Sequence, residues 1–234
     1  MSSLIDDVRK LKSQAMTARD TGDAARAIEL LNDADQLLHE ALSDLRQHRP
    51  ATEPPGSYET GLATQLVHIR GTKGGVYRRT GDYAAAVAAY DASYQIEGPG
   101  SDYPVVDSYA LTQRLVTRLL LVPSGADPNG AEVVGLDVRQ ALHEAETEIR
   151  RQVVGERAND EYAAADLAVV QLLLGSEDWD QALDAFLDAA PEPYAVSVTL
   201  ATLRELLSAA RAATPPPAAL IDRLITACEE LAVV

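Results

Sequence analysis

Apolar residues recur along this chain at steps of three and four rather than two. Over 132–155, Val138, Leu142, Ala145, Ile149 and Val153 fall on one face of a helical period. Segments of that kind alternate with clusters of breakers: Pro50, Pro54, Pro55 and Gly56, then Gly98, Pro99, Gly100 and Ser101, then the run from Pro123 to Gly130, then Pro191 with Pro193, then Pro215 to Pro217. Between them the pattern predicts helices at about 3–20, 23–47, 58–80, 83–97, 104–122, 132–155, 158–174, 178–190, 194–212 and 217–232. Pro104, after Ser101 and Asp102, reads as the start signal of the fifth. No strand pattern stands out, so the expected class is all-α.

Ten helices with short connections could form a bundle or a repeat array, and internal similarity decides between them. Three segments share one pattern: TGDAARAIELLNDA from Thr21, TGDYAAAVAAYDAS from Thr80 and SEDWDQALDAFLDA from Ser176. Ala27, Ala86 and Ala182 are equivalent, as are Leu31, Tyr90 and Phe186, and then Ala34, Ser93 and Ala189. Small residues let two helices approach closely, and the bulky one fills the groove toward the next hairpin. Trp179 stands where Tyr83 stands and is expected to pack at its hairpin's turn.

This pattern resembles the tetratricopeptide repeat. The second copy matches best, with Gly74, Tyr77, Gly81, Asp82, Tyr83, Ala86 and Tyr90 in place. Its proline is shifted to Pro99, and Lys73 stands where leucine is usual. The resemblance implies a single helical-hairpin solenoid over 1–234, with recognisable hairpins at about 3–47, 58–97 and 158–190. It says little about function, because such repeats carry many.

Composition narrows the classes. The 5% of aromatic residues and the abundance of Ala and Leu favour helix over sheet. A net charge of −16 argues against general nucleic-acid binding and requires a local exception wherever an anion is to bind. Cys228 is the only cysteine, which excludes an intrachain disulfide and a cysteine-rich metal site. His39, His48, His68 and His143 show no metal-ligand spacing, and Ser108 has no histidine at a nucleophile motif's spacing. No metal, no cofactor and no catalytic group is expected. The start lacks a signal-peptide core and no window is apolar enough to span a membrane, so the expected setting is cytoplasmic.

The local exception is visible. Residues 60–81 hold no Asp or Glu, where average composition would give about three. They do hold His68, Arg70, Lys73, Arg78 and Arg79. A second acid-free window, Ser108 to Ala126, holds Arg114 and Arg118. In tetratricopeptide arrays the first helix of each hairpin lines the concave groove, and both windows fall on such helices. Gly71, Gly74 and Gly75 together cost a helix about 3 kcal/mol relative to alanine. Close packing explains Gly74. Gly71 and Gly75 are expected to clear space for a ligand beside the arginines.

The segment GTKGGVYRRTGDYAAAVAAYDASYQIE with DSYALTQRLVTRLLLVP resembles bacterial tetratricopeptide sensor domains of conflict and signalling systems. Those carry Gly-Gly-x-Tyr-Arg-Arg, a Gly-Asp turn and a later Ser-Tyr-x-x-x-Asn-Arg. Here the last reads Ser108, Tyr109, Gln113 and Arg114, with Gln113 departing from Asn. Residues 161–206 resemble the TRAF-binding central region of the apoptosis signal-regulating kinases. These resemblances imply a non-catalytic sensor coupled to an effector protein or domain, with a nucleotide-derived ligand. The candidate ligand-binding residues are Arg70, Gly71, Lys73, Gly75, Arg78, Arg79, Tyr109, Gln113 and Arg114. Two partners remain open: a small anionic ligand, or an acidic peptide held by a clamp of Lys73, Arg78 and Arg79.

Overall fold

A computed structural model of the chain describes residues 3–97, 101–103, 107–121, 132–133 and 136–233. Among them are ten helices: α1 (Leu4–Asp20), α2 (Ala24–His48), α3 (Ser57–Arg79), α4 (Tyr83–Glu97), α5 (Tyr109–Leu121), α6 (Val138–Val154), α7 (Glu161–Leu174), α8 (Trp179–Asp188), α9 (Pro193–Ala212) and α10 (Ala218–Leu231). The chain is all-α, built from helical hairpins of the expected type. The loops expected at Gly98–Gly100 and Pro123–Gly130, and the start signal at Pro104, lie outside the described residues.

Two starts differ from expectation. α5 begins at Tyr109, where the Asp107 carboxylate accepts from the Tyr109 N–H at 2.9 Å. α6 begins at Val138 rather than 132, because the Asp137 side chain accepts from the Gln140 N–H and fixes the cap there. Ahead of it, β1 (Glu132–Val133) and β2 (Leu136–Asp137) form a two-residue antiparallel ribbon.

The chain divides into two compact units, Met1–Ala110 and Leu111–Val234. In the first unit, α1 packs on α2, α2 on α3 and α3 on α4. Its two hairpins turn by the same device. Gly22 (φ +84°) and Gly81 (φ +80°) take the left-handed conformation that side chains disfavour. The next residue, Asp23 or Asp82, then caps the second helix by accepting from the N–H three residues on. The repeat equivalences hold in detail: Ala27 and Ala86, Leu31 and Tyr90, and Ala34 and Ser93 are all fully buried. Ser93 can be polar there because its hydroxyl donates to the Val67 carbonyl at 3.2 Å.

In the second unit, α7 packs on α6 and α8, and α10 on α9 and α7. The third repeat copy departs from the other two. Phe186 is fully buried, but Ala182 is half-buried and Ala189 exposed. The left-handed glycine is Gly175 (φ +68°), two places ahead of the repeat's turn glycine, and Asp178 makes no side-chain cap. The end of α7 is instead closed by Arg223, whose Nε donates to the Leu172 carbonyl at 3.0 Å. A Cβ at Gly175 would come within 3.1 Å of that guanidinium. Trp179 is half-buried among Ala168, Val169, Leu172, Leu183, Thr199 and Leu203. Among the described residues, no helix is long and apolar enough to cross a membrane.

Candidate functional site

The acid-free window is the body of α3, and its three glycines are answered by two tyrosines. A Cβ at Gly74 would lie 2.5 Å from the ring of Tyr90 on α4, so no other residue fits there without displacing it. A Cβ at Gly71 would lie 3.5 Å from the ring of Tyr109, and one at Gly75 would lie 2.9 Å from the Tyr109 hydroxyl. The two rings meet edge to face, with centroids 6.0 Å apart and planes at 74°. Burying two aromatic rings is worth about 1.5–3 kcal/mol each, which offsets the roughly 3 kcal/mol that three helical glycines cost.

Gly74 therefore packs as expected. The space beside Gly71 is not open to a ligand, because the Tyr109 ring lies in it. At Gly75 the neighbours are hydroxyls. The Tyr90 hydroxyl would sit 3.9 Å from the same Cβ that lies 2.9 Å from the Tyr109 hydroxyl. The Tyr90 hydroxyl is buried, and its polar neighbour is the Tyr109 hydroxyl. Burial, and then the Tyr109 hydroxyl beside it, push the Tyr90 phenol well above its usual range. Arg78 and Arg79 pull it the other way, which puts both guanidinium charges within electrostatic reach. Both arginines sit in the last turn of α3, where the helix dipole favours cations; Arg78 is half-buried and Arg79 exposed.

No family model matches the chain, and no curated protein matches it. Among solved structures, a tetratricopeptide repeat protein from Parabacteroides merdae ATCC 43184 aligns over 94% of this chain and 99% of its own, with 14% identity and a TM-score of 0.26.

The other expected site residues divide. Arg70 is held away from the tyrosines: its Nε and Nη2 grip both oxygens of Asp35 at 3.1 Å, and its Nη1 donates to the Ala92 carbonyl at 2.9 Å. It ties α3 to α2 and α4. Lys73 is half-buried on α3. Gln113 and Arg114 lie on α5 beyond the unit boundary, and both are buried, Arg114 with 7% exposed. The structure thus brings Gly71, Gly75 and Tyr109 together with Arg78 and Arg79 near by, and turns Arg70 to Asp35. His68 Nε2 lies 3.4 Å from Asp107, which anchors the residue pair ahead of Tyr109. Lys12 of α1 is in the same field: burial lowers its amine, and Asp107 opposes that.

Two features escaped sequence reasoning. One is the part played by Tyr90, read only as a bulky core residue. The signal was present, since the equivalent positions hold Leu31 and Phe186, and only Tyr90 adds a polar tip. The other is a second polar cluster in the same unit. The Tyr103 hydroxyl donates to Glu59 at 2.8 Å and accepts from Arg46 Nε at 2.6 Å. The Arg46 guanidinium also lies 4.7 Å from the Tyr103 ring centroid. Arg49 pairs with Glu59 at 3.8 Å and with Asp102 at 3.0 Å. No motif announces this cluster, because its members are scattered over 57 residues.

Proposed function

We propose that this chain is a non-catalytic binding module whose first unit receives a small anionic ligand at the C-terminal end of α3. The observation that carries this reading is the acid-free stretch of α3, whose last turn places Arg78 and Arg79 within electrostatic reach of the buried Tyr90 hydroxyl and its Tyr109 neighbour. The groups gathered there are donors. Arginine keeps its proton at any ordinary pH, and so does the Tyr90 phenol, which burial pushes well above its usual range, so neither suits proton transfer in a reaction. Two cationic side chains in a window without carboxylates provide the local exception that an acidic chain needs to attract an anion. Coupling to an effector protein or domain is what the resemblance to sensor domains adds. A groove for acidic peptides is the competing reading. It is weakened because Arg70, which would extend the basic face, is committed to Asp35.

The test is a thermal-shift screen of the full chain against nucleotides, inorganic polyphosphates, dicarboxylates and acidic peptides. An anion that raises the melting temperature of the parent protein, and fails to do so in Arg78→Ala, supports the reading. A screen in which Arg78→Ala responds like the parent to every stabilising anion places the binding elsewhere.

A further inference from the structure

The second unit carries an exposed face that its own packing does not explain. α7 opens with Glu161 and Tyr162, and α9 with Pro193 and Tyr194. The two starts are tied together, because the Glu192 N–H donates to the Glu161 carboxylate at 2.7 Å. Tyr162 and Tyr194 come within electrostatic reach of one another and are 43% and 53% exposed. Beside Tyr162 the connection from α6 forms a shallow concavity, lined from Gly155 to Tyr162. Val154, next to Gly155 in sequence, is 81% exposed. Thus three of the seven large apolar side chains exposed among the described residues fall in this one region, where tyrosine is a residue that interfaces favour.

The same surface is acidic. Glu156, Asp160 and Glu161 line the concavity, and Glu192 caps α9. Two of these carboxylates serve the fold: Asp160 caps α7 and pairs with Arg157 at 2.8 Å, and Glu161 holds the Glu192 N–H. The Glu156 and Glu192 carboxylates are exposed and make no hydrogen bond or ion pair among the described residues. Arg157, the cation of this loop, is turned to Asp160 and to the Gln152 amide oxygen at 3.2 Å. Burial, and after it Glu161, Tyr194, Asp160 and Glu192, raise the Tyr162 phenol above its usual range, so the charges felt at this ring have the sign that draws cations.

We propose that this face docks a basic segment of a protein partner, whose arginine or lysine side chains lie over the rings of Tyr162 and Tyr194 and meet the carboxylates of Glu156 and Glu192. An apolar partner would strand those two carboxylates under its surface. A guanidinium satisfies both features, since its plane stacks on a tyrosine while its N–H groups reach a carboxylate. The net charge of −16 speeds the encounter with any basic segment, and the tyrosine pair fixes where that segment comes to rest. The site lies within the second unit and does not depend on the anion-binding reading of the first.

Fluorescence anisotropy of a labelled Arg-Gly-Arg-Gly-Arg peptide, titrated with the full chain at about 0.15 M ionic strength, tests this. The parent is expected to bind saturably. Tyr162→Leu with Tyr194→Leu keeps apolar bulk but removes both rings, and is expected to weaken binding about tenfold at an unchanged melting temperature. Glu156→Gln with Glu192→Gln is expected to weaken it about tenfold as well. Asp7→Asn with Glu53→Gln makes the same change of charge at exposed positions of the first unit and is expected to weaken it by about twofold or less. Equal weakening by the two charge pairs would reduce the binding to overall charge and overturn the proposal. A leucine variant that binds like the parent would overturn the role given to the rings. A dimer of the chain alone, seen in sedimentation and abolished by Tyr194→Leu, would assign the face to a second copy instead. Absence of saturable binding by the parent would overturn the proposal outright.

Discussion

Tyr90 and Tyr103 both bury a phenol in the first unit, 0% and 3% exposed, and their hydroxyls meet opposite surroundings. The Tyr103 hydroxyl gives a hydrogen bond to Glu59 and takes one from Arg46, and Arg49 balances the carboxylate from the other side. Around Tyr90 the polar influences are the Tyr109 hydroxyl and the charges of Arg78 and Arg79. A satisfied cluster stabilises the fold in the free protein. A pair of neutral hydroxyls contributes less to it. Polar groups buried for structure and polar groups buried for binding can thus be separated by what surrounds them.

That contrast can be broken first at its structural end. Glu59→Ala removes the acceptor that Tyr103 and Arg49 share, and it is expected to cost about 3 kcal/mol in denaturant unfolding. A loss below about 1 kcal/mol would show that water replaces the carboxylate. Next comes the glycine that only packs. Gly74→Ala drives a methyl to 2.5 Å from the Tyr90 ring and is expected to cost about 2 kcal/mol, despite alanine's better helix propensity. Gly75→Ala meets only the far end of Tyr109, so its expected stability change is below about 1 kcal/mol, while the Tyr109 hydroxyl must shift and ligand binding weaken. Equal stability losses for the two alanines would remove the distinction between a packing glycine and a site glycine. At the first turn the effect comes from the backbone. Gly22→Ala, at φ +84° with open space around it, should cost about 1 kcal/mol through backbone strain alone.

How much of this was legible in the sequence follows from which forces are local. The helices and the first two hairpins were readable because period, turn glycines and capping aspartates all act within a few residues of themselves. The third copy was readable as a repeat but not in its details. Glu177 stands where the other copies have the turn glycine, and the left-handed role passes to Gly175 under Arg223, a partner 48 residues away whose arrival no local pattern records. Arg70 was assigned to the site by its charge and its acid-free surroundings in sequence. Asp35, 35 residues earlier, reaches it through the packing of α2 on α3. Gly71 and Gly75 read in sequence as space for a ligand, and no local pattern says that Tyr109 lies against both. The small ribbon at Glu132–Asp137 was masked by an apolar period that begins in earnest only at Val138.

The central claim is that the Tyr90 hydroxyl belongs to a ligand and not to the fold. The most direct measurement compares the thermal unfolding of Tyr90→Phe and Tyr103→Phe with that of the parent chain, all without ligand. Tyr103→Phe leaves Glu59 and Arg46 short of a partner and is expected to lose about 1.5 kcal/mol, a drop of several degrees in the melting temperature. Tyr90→Phe removes a hydroxyl set beside that of Tyr109 and away from any carboxylate pair of the Tyr103 kind, and is expected to leave the melting temperature unchanged or raise it by a few degrees. A Tyr90→Phe protein that melts as far below the parent as Tyr103→Phe would contradict the claim, because the hydroxyl would then be holding the free protein together.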